Sequence, residues 1–244
     1  MTVRLVTLAL KAATSQQLGM FWAHALRWNT RDTDGADVVL VPTDPTSFDV
    51  LVRPGAGDKI GQNRIHFDLT TTSLDDHTAT VAELLSIGSR HVDIGQDPTH
   101  VVLVDLEGNE FCIIEPGNRF LTGCPPPWGS TVTARTLSDA LERSARMATG
   151  VGSRGGNGDP GTRRSRTENH LERHALMPRW GDERLHFHVA PTPGTNTQDA
   201  HDHLVAVGAT TSTHGHGCPR PIALADVDGN TFCLVESTHD DISG

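Results

Sequence analysis

Two short blocks of sequence occur twice in this chain, in the same order and with nearly the same spacing. NRIHFDL at 63–69 corresponds to ERLHFHV at 183–189, and DLEGNEFCIIE at 105–115 corresponds to DVDGNTFCLVE at 226–236. The offsets are 120 residues (63 to 183) and 121 residues (105 to 226). Ordered repeats at a fixed spacing indicate a duplicated structural unit, and that constrains the fold more than any local propensity does.

The residues between the two blocks predict the content of one unit. In the first copy Ser73 can cap a helix that ends at Gly88, and in the second a weaker helix runs from Thr197 to Gly208. The strand-like runs that follow are Val101–Asp105 and Glu110–Ile114 in the first copy, and Ile222–Asp226 and Thr231–Val235 in the second. Gly-Asn pairs at 108–109 and 229–230 fit tight hairpin turns, which Asp105 and Asp226 would organise. The unit is therefore β-α-β-β-β.

Residues 1–60 follow the same order without the repeated blocks. A strand over Arg4–Leu10 precedes an amphipathic helix over Gln16–Trp28, with Phe21 and Trp22 on its core face. Strands over Val38–Val41 and Phe48–Val52 complete this unit. One such unit leaves the concave face of its sheet unfilled. We therefore expect units to pair, with 1–60 and 61–117 forming one pair.

Residues 118–180 break the pattern. They contain ten of the chain's 20 Lys and Arg residues, and 150–178 is rich in Gly and Arg with no apolar period. Three interpretations stay open for this stretch: a flexible insertion over 150–178, a degenerated module, or a segment outside its native reading frame. The expected organisation is a domain over 1–117, a degenerate module over 118–180, and a second copy of the repeated module over 181–240.

Composition limits the classes of partner. The formal net charge of -10 argues against nucleic acid, because phosphate binding needs basic surface. No apolar stretch reaches the length of a membrane span, so no membrane partner is expected. The four cysteines form no C-x-x-C pair, and Cys112 and Cys233 lie in apolar strand-like runs. Buried thiols in a reducing compartment are the expected state, which favours a cytoplasmic protein.

Several segments resemble one known family. FWAHAL at 21–26, RIHFDL and RLHFHV in the first block, and DLEGNEFC and DVDGNTFC in the second resemble the glyoxalase-like domains of the vicinal oxygen chelate superfamily. The resemblance covers 1–117 and 181–237. It implies an α+β fold of paired βαβββ modules in open, curved, mixed sheets, as two tandem domains with the second partly degenerate. Members of the superfamily include metal-dependent lyases, isomerases, dioxygenases and thiol transferases, as well as drug-binding proteins without a metal.

The resemblance also implies a set of metal ligands. It places them on the first and last strands of each module, at His66 and Glu115 and again at His186 and Glu236. A neutral imidazole and a carboxylate suit one divalent ion such as Zn, Fe, Mn or Ni. The alternative of no cofactor stays open, because alignment of the first module places Val6 and Val52 where the completing ligands would stand.

Strand periodicity adds two candidates for the pocket. Side chains two residues apart share one face of a strand, so Asp68 lies on the face of His66, and His188 on the face of His186. A purely structural interpretation is the alternative to these ligand assignments. In it, His66 and Glu115 form a buried pair that stabilises the sheet.

Three functions remain open at this stage. The first is a metal-assisted enzyme acting on a small molecule in the cavity between modules. The second is metal-free binding or drug sequestration of the bleomycin-resistance type, and the third is a catalytically silent relative. A homodimer is also compatible with the resemblance, because such modules often pair between chains.

Overall fold

The structure is a computed structural model that describes residues 2–31, 33–44, 46–63, 65–92, 101–117, 184–212, 222–226 and 229–236. These residues form twelve strands and three helices, in the order that the repeated βαβββ unit predicts. The degenerate segment at 118–180, including 150–178, lies outside the described residues. The α+β class and the open mixed sheets are confirmed.

The first module runs from residue 3 to residue 54. Its elements are β1 (Val3–Ala12), α1 (Ser15–Leu26), β2 (Asn29–Arg31), β3 (Val38–Val41) and β4 (Asp49–Pro54). Helix α1 buries Leu18, Phe21, Trp22, Ala25 and Leu26, which is the apolar face that the helical period predicts. The helix ends where Arg27 adopts a left-handed conformation, with φ of 57°.

The second module carries the first copy of the repeat. Its elements are β5 (Phe67–Thr70), α2 (Leu74–Ser86), β6 (Arg90–His91), β7 (Val101–Val104) and β8 (Glu110–Ile114). Ser73 caps α2 as expected, since its side chain accepts a hydrogen bond from the Asp76 backbone N–H. The chain leaves α2 at Gly88, whose φ of 110° favours glycine.

The last module carries the second copy. Its elements are β9 (Leu185–Pro191), α3 (Thr197–Ala206), β10 (Thr210–Thr211), β11 (Ile222–Ala225) and β12 (Thr231–Leu234). The capping residue of α3 is Asn196, which accepts from the Asp199 N–H, and Gly208 repeats the positive φ of Gly88 at 109°. The duplicated sequence therefore gives duplicated local structure.

The first module shares a sheet with the last module and not with the second. An eight-stranded sheet, called sheet one here, has the order β10-β11-β12-β9-β1-β4-β3-β2 and joins the first module to the last through antiparallel β1 and β9. The second module forms a separate four-stranded sheet, sheet two, in the order β5-β8-β7-β6. Among the described residues, 1–60 and 61–117 therefore do not share a sheet, because the long edge of β1 is taken by β9.

Residues 1–117 nevertheless pack together, through α1. The Trp22 side chain has no exposed surface and contacts Phe67 and Phe111 of sheet two, with ring centroids 4.3 and 5.1 Å apart. The Trp22 Nε1 group donates to Asp105 at 3.0 Å. One helix thus covers sheet one with one side and sheet two with another, and the expectation that Phe21 and Trp22 are core residues is confirmed.

The hairpin turns are organised as expected. Asp105 Oδ1 accepts from the N–H groups of Glu107 and Asn109, both at 2.9 Å, and Asp226 Oδ1 accepts from the Asn230 N–H at 2.8 Å. Burial raises the pKa of Asp105, and the hydrogen bonds that its carboxylate accepts oppose the rise.

In the described part of the chain, no helix is both long and apolar enough to cross a membrane.

Candidate functional site

Sheet two has two faces of different character. Phe67, Leu69, Phe111 and Ile113 join the main core beneath α1 and α2, whereas Val102, Cys112 and Ile114 form a small separate apolar cluster. Successive side chains of a strand point to opposite faces, so the second set marks the face turned away from the helices. We call this the far face of sheet two.

Three side chains that can bind a metal meet on the far face of sheet two. His66 directly precedes β5, Asp68 lies within β5, and Cys112 lies opposite Asp68 on the parallel neighbour β8. Their nitrogen, oxygen and sulfur atoms all lie within 4.8 Å of one another. The His66 Nε2 atom is 3.2 Å from Asp68 Oδ1, and the His66 side chain is 42% exposed while that of Asp68 is 11% exposed. The group is therefore open to solvent on the imidazole side.

The electrostatics of this group favour a positive charge. Burial lowers the pKa of His66, but hydrogen bonds to the Asp68 and Cys112 side chains and the charges of those groups outweigh it and raise the pKa from 6.5 to about 10. A proton held this way occupies the place that a cation would take. A metal ion bound there would therefore have to displace the proton from His66.

A fourth polar atom lies beside this group. The Thr70 Oγ1 atom is buried, has no hydrogen-bond partner among the described residues, and belongs to the same strand face as Asp68. An orphaned buried hydroxyl costs free energy unless something outside the described residues satisfies it. The donor set of imidazole, carboxylate and thiol fits a borderline divalent metal.

Sheet one carries the equivalent group. His186 and His188 on β9 and Cys233 on β12 have their donor atoms within 4.8 Å of one another, and Cys233 lies opposite His188. These positions match His66, Asp68 and Cys112 through the sequence repeat. The exposed fractions are 0% for His186, 8% for His188 and 1% for Cys233, so this second group is closed. Its donor set, two nitrogens and one sulfur, also fits a metal.

The glutamates expected as ligands lie outside both groups. Glu115 follows the end of β8 and Glu236 lies two residues beyond β12, and both are exposed. Among the described residues, neither belongs to a group of three donors that could share one ion. Alternation along β8 explains the separation, because Cys112 and not Glu115 has the parity of the residue opposite Asp68.

The first module supplies no ligand at the aligned positions. Val52 is fully buried and pairs with Leu10 and Val38 on the helix side of sheet one. Val6 lies where the register between β1 and β9 shifts. Ala9 and Thr7 are the residues opposite His186 and His188, and neither carries a strong metal donor.

Sequence reasoning did not predict the two cysteines as candidate site residues. Cys112 and Cys233 are buried free thiols, as expected, but each also completes a group of potential ligands. The signal was present, because the two cysteines recur at the same offset as the two glutamates. Choosing between them needed the strand register, which the repeat alone does not give.

A cavity of about 510 Å³ lies elsewhere, between α1, the end of α2 and the β7–β8 hairpin. It is lined by Gln16, Gln17, Met20, Phe21, His24, Ile87 and Leu106. None of the candidate ligands borders it. Met20 and Leu106 are 60% and 41% exposed, whereas most large apolar side chains among the described residues are buried.

Similarity to solved structures shows the same fold. A putative dioxygenase from Bacillus subtilis subsp. subtilis str. 168 matches over 98% of this chain and 88% of its own, with 14% identity and a TM-score of 0.54. A glyoxalase I mutant from Zea mays matches over 96% of this chain and 92% of its own, with 13% identity and a TM-score of 0.52. At these identities the likeness concerns the fold alone.

Sequence similarity assigns the family. No curated protein matches the chain significantly. The model of the glyoxalase-like domain matches twice, over residues 7–114 and 130–235, and so covers most of the chain. The two matched segments contain the two groups of potential ligands, one in each. By this match the chain belongs to the glyoxalase-like domain family, with two tandem copies of the domain.

Proposed function

We propose that the protein acts on a small molecule at the far face of sheet two, with one divalent metal ion held by His66, Asp68 and Cys112. The observation that carries this proposal is the meeting of three different donors around a half-exposed imidazole. A reaction site needs access for its substrate, and of the two groups only this one has an exposed ligand side chain. The family supplies the general class of chemistry, that of glyoxalase-type and dioxygenase-type proteins.

The surroundings of this group suit a small ligand. The apolar cluster of Val102, Cys112 and Ile114 lies on the same face, so polar donors adjoin buried apolar surface. A bound divalent ion of the Zn, Fe, Mn or Ni type would polarise a substrate oxygen. In the metal-free protein Asp68 orients the His66 ring through the 3.2 Å contact, and Thr70 carries a buried hydroxyl on the same strand face.

Metal content tests the proposal. The full chain, purified without chelator and with a thiol reductant, is expected to contain metal that is reduced by about one equivalent in His66→Ala and in Cys112→Ser. Glu115→Gln is the matched control, because Glu115 belongs to the same module but lies outside the group. Unchanged metal content in His66→Ala, or equal loss in Glu115→Gln, contradicts the assignment.

The second candidate function is metal-free binding of an apolar small molecule in the cavity beside α1. The observation that favours it is the cavity of about 510 Å³ between the first two modules, a volume typical of ligand sites, with Met20 and Leu106 exposed at its wall. A fluorescent apolar probe is expected to bind the wild-type chain and to lose at least tenfold in affinity in Met20→Glu. Retained affinity in Met20→Glu removes this candidate, and the exposed Val205 gives a matched control in Val205→Glu.

A further inference from the structure

The group on sheet one differs from the group on sheet two in one donor and in access. Position 68 is an aspartate, whereas its equivalent in the repeat, position 188, is a histidine. The imidazole that starts each group is 42% exposed at His66 and fully buried at His186. Chemistry that needs a substrate therefore fits the first group and not the second.

The distance between the two histidines fits ligation of one ion. The Nε2 atoms of His186 and His188 lie 3.1 Å apart. Two imidazole nitrogens on one zinc ion, each at about 2.0–2.1 Å, are separated by about 2.9 Å at a right angle and about 3.4 Å in a tetrahedron. Cys233 brings its sulfur to the same place, within 4.8 Å of both nitrogens.

The donor set selects the kind of cation. Two imidazoles and a thiol, with no carboxylate in the group, favour thiophilic and borderline metals over Mg²⁺ and Ca²⁺. Because all three residues are buried, a substrate would have little access to the ion, which favours a structural role over a catalytic one. We propose that His186, His188 and Cys233 form a structural site for a thiophilic divalent cation such as Zn²⁺, separate from the reaction site on sheet two.

The location gives this ion a defined structural role. His186 and His188 lie on β9, which pairs with β12 on one side and with β1 on the other. An ion joining β9 to β12 therefore fixes the strand against which the first module completes its sheet. Its loss would loosen the joint between the first and last modules.

A cobalt titration tests the site. The full chain is freed of metal with a chelator, kept reduced, and titrated with Co²⁺, whose bond to a thiolate gives a charge-transfer absorption band. Wild type is compared with Cys112→Ser, which removes the thiol of sheet two, and with Cys233→Ser. The thermal unfolding of each protein is followed with and without Zn²⁺.

We expect Cys112→Ser to keep a thiolate band that saturates at one equivalent, and Cys233→Ser to lose that band. At a Zn²⁺ concentration one hundred times the Kd, the ratio of folded to unfolded Cys112→Ser should rise by about a hundredfold. No band in Cys112→Ser, or a band that survives in Cys233→Ser at the same stoichiometry, overturns the proposal. If Cys233→Ser does not fold, His188→Gln replaces it, and an unchanged Co²⁺ affinity in His188→Gln overturns the proposal equally.

The result is independent of the proposed function. Failure of the reaction site appears as unchanged metal content in His66→Ala. Failure of the structural site appears as loss of the band from Cys112→Ser, whose sheet-one ligands are all intact.

Discussion

Asp76 at the start of α2 makes reciprocal hydrogen bonds that depend on its charge. Its Oδ2 atom accepts from both the backbone N–H and the hydroxyl of Thr72 at 2.8 Å, and its own N–H donates to Ser73 Oγ at 3.1 Å. The hydrogen bonds from the Thr72 backbone and side chain lower the pKa of Asp76 below its usual 3.8. The first turn of α2 is therefore stabilised by an ionised carboxylate.

This contribution should depend on pH in a defined direction. A carboxyl group with a lowered folded-state pKa adds stability above its unfolded pKa of 3.8, and the stability is lost as pH falls through the lower folded value. Asp76→Asn is expected to cost about 1 kcal/mol at pH 6, and the difference from wild type should shrink below pH 3.8. Urea unfolding at several pH values measures it.

The neighbouring exposed residue provides the control. Asp75→Asn removes a charge from the same helical turn, and no hydrogen bond from Thr72 is lost. Its cost is therefore confined to the interaction of an exposed side chain with the helix dipole, about 0.3 kcal/mol. A pH-independent difference for Asp76→Asn, or equal costs for the two variants, would contradict the role given to Thr72.

Some ligands of the candidate site can be predicted from the sequence, and others cannot. His66 and His186 were found because they repeat, and Asp68 and His188 because strand alternation places them beside those histidines. For the remaining ligands the family resemblance points to Glu115 and Glu236, whereas the structure brings Cys112 and Cys233 to the two groups. Distinguishing residues three apart near a strand end requires the register between two strands, and register is a tertiary property.

Helix α1 approaches sheet one closely because Gly19 has no side chain. A Cβ atom added at Gly19 would lie 2.8 Å from Val38 Cγ1 on β3, which is shorter than van der Waals contact. The glycine therefore sets the distance at which α1 can lie between the two sheets. The helical period predicted the buried face of α1, but close approach at one position is not visible in a period.

Gly19→Ala should therefore be unfavourable although alanine favours helix. Crowding against Val38 costs about 1–3 kcal/mol, and the gain in helix propensity returns about 1 kcal/mol. We expect a net loss of about 1 kcal/mol in the free energy of unfolding, measured by chemical denaturation. In the Val38→Ala background the penalty of Gly19→Ala should fall, because the crowded atoms are gone.

Gly35→Ala is the matched control for this substitution. A Cβ atom at Gly35 meets nothing within 4 Å, so the change in stability should stay within about 0.5 kcal/mol. Stabilisation by Gly19→Ala would show that α1 has room to move and that its contact with β3 is not limiting.

At the scale of the whole molecule, one carboxylate connects three modules. Glu107 in the β7–β8 hairpin accepts from the N–H groups of Ala13 and Thr14, at 2.9 Å, where α1 begins. Arg184 of the last module donates to the same carboxylate at 3.1 Å and to the Gly57 carbonyl at 2.7 Å. The side chain of Glu107 is only 13% exposed, and that of Arg184 only 8%.

Glu107→Ala is expected to cost about 3 kcal/mol in the free energy of unfolding, because it leaves the buried Arg184 guanidinium without its carboxylate partner. Once Arg184→Ala is present, removing Glu107 should cost clearly less. The control is Glu83→Ala: Glu83 pairs with His24 and Arg27, but it is 41% exposed, so about 0–1 kcal/mol is expected. Equal costs for Glu107→Ala and Glu83→Ala would contradict a special role for Glu107.

The sequence repeat predicted the modules of the whole molecule but not their partners. Caps, turns and strands of each unit are local, so Ser73, Gly88 and the Gly-Asn turns were enough to place them. Which module shares a sheet with which depends on the free edges of the strands. Similar units allow several pairings, and among the described residues 1–60 shares its sheet with the last module and not with 61–117.

The pairing of β1 with β9 has a consequence for folding during translation. Ala9 lies opposite His186, so one long edge of an early strand stays without its partner until the last module has been made. At typical rates of translation the interval is roughly 9–35 s. An open apolar strand edge invites pairing with other chains. Aggregation of nascent chains should therefore limit production of this protein. Expression at a lower temperature, where chaperones can hold more of the unfinished chains, should raise the yield of soluble protein.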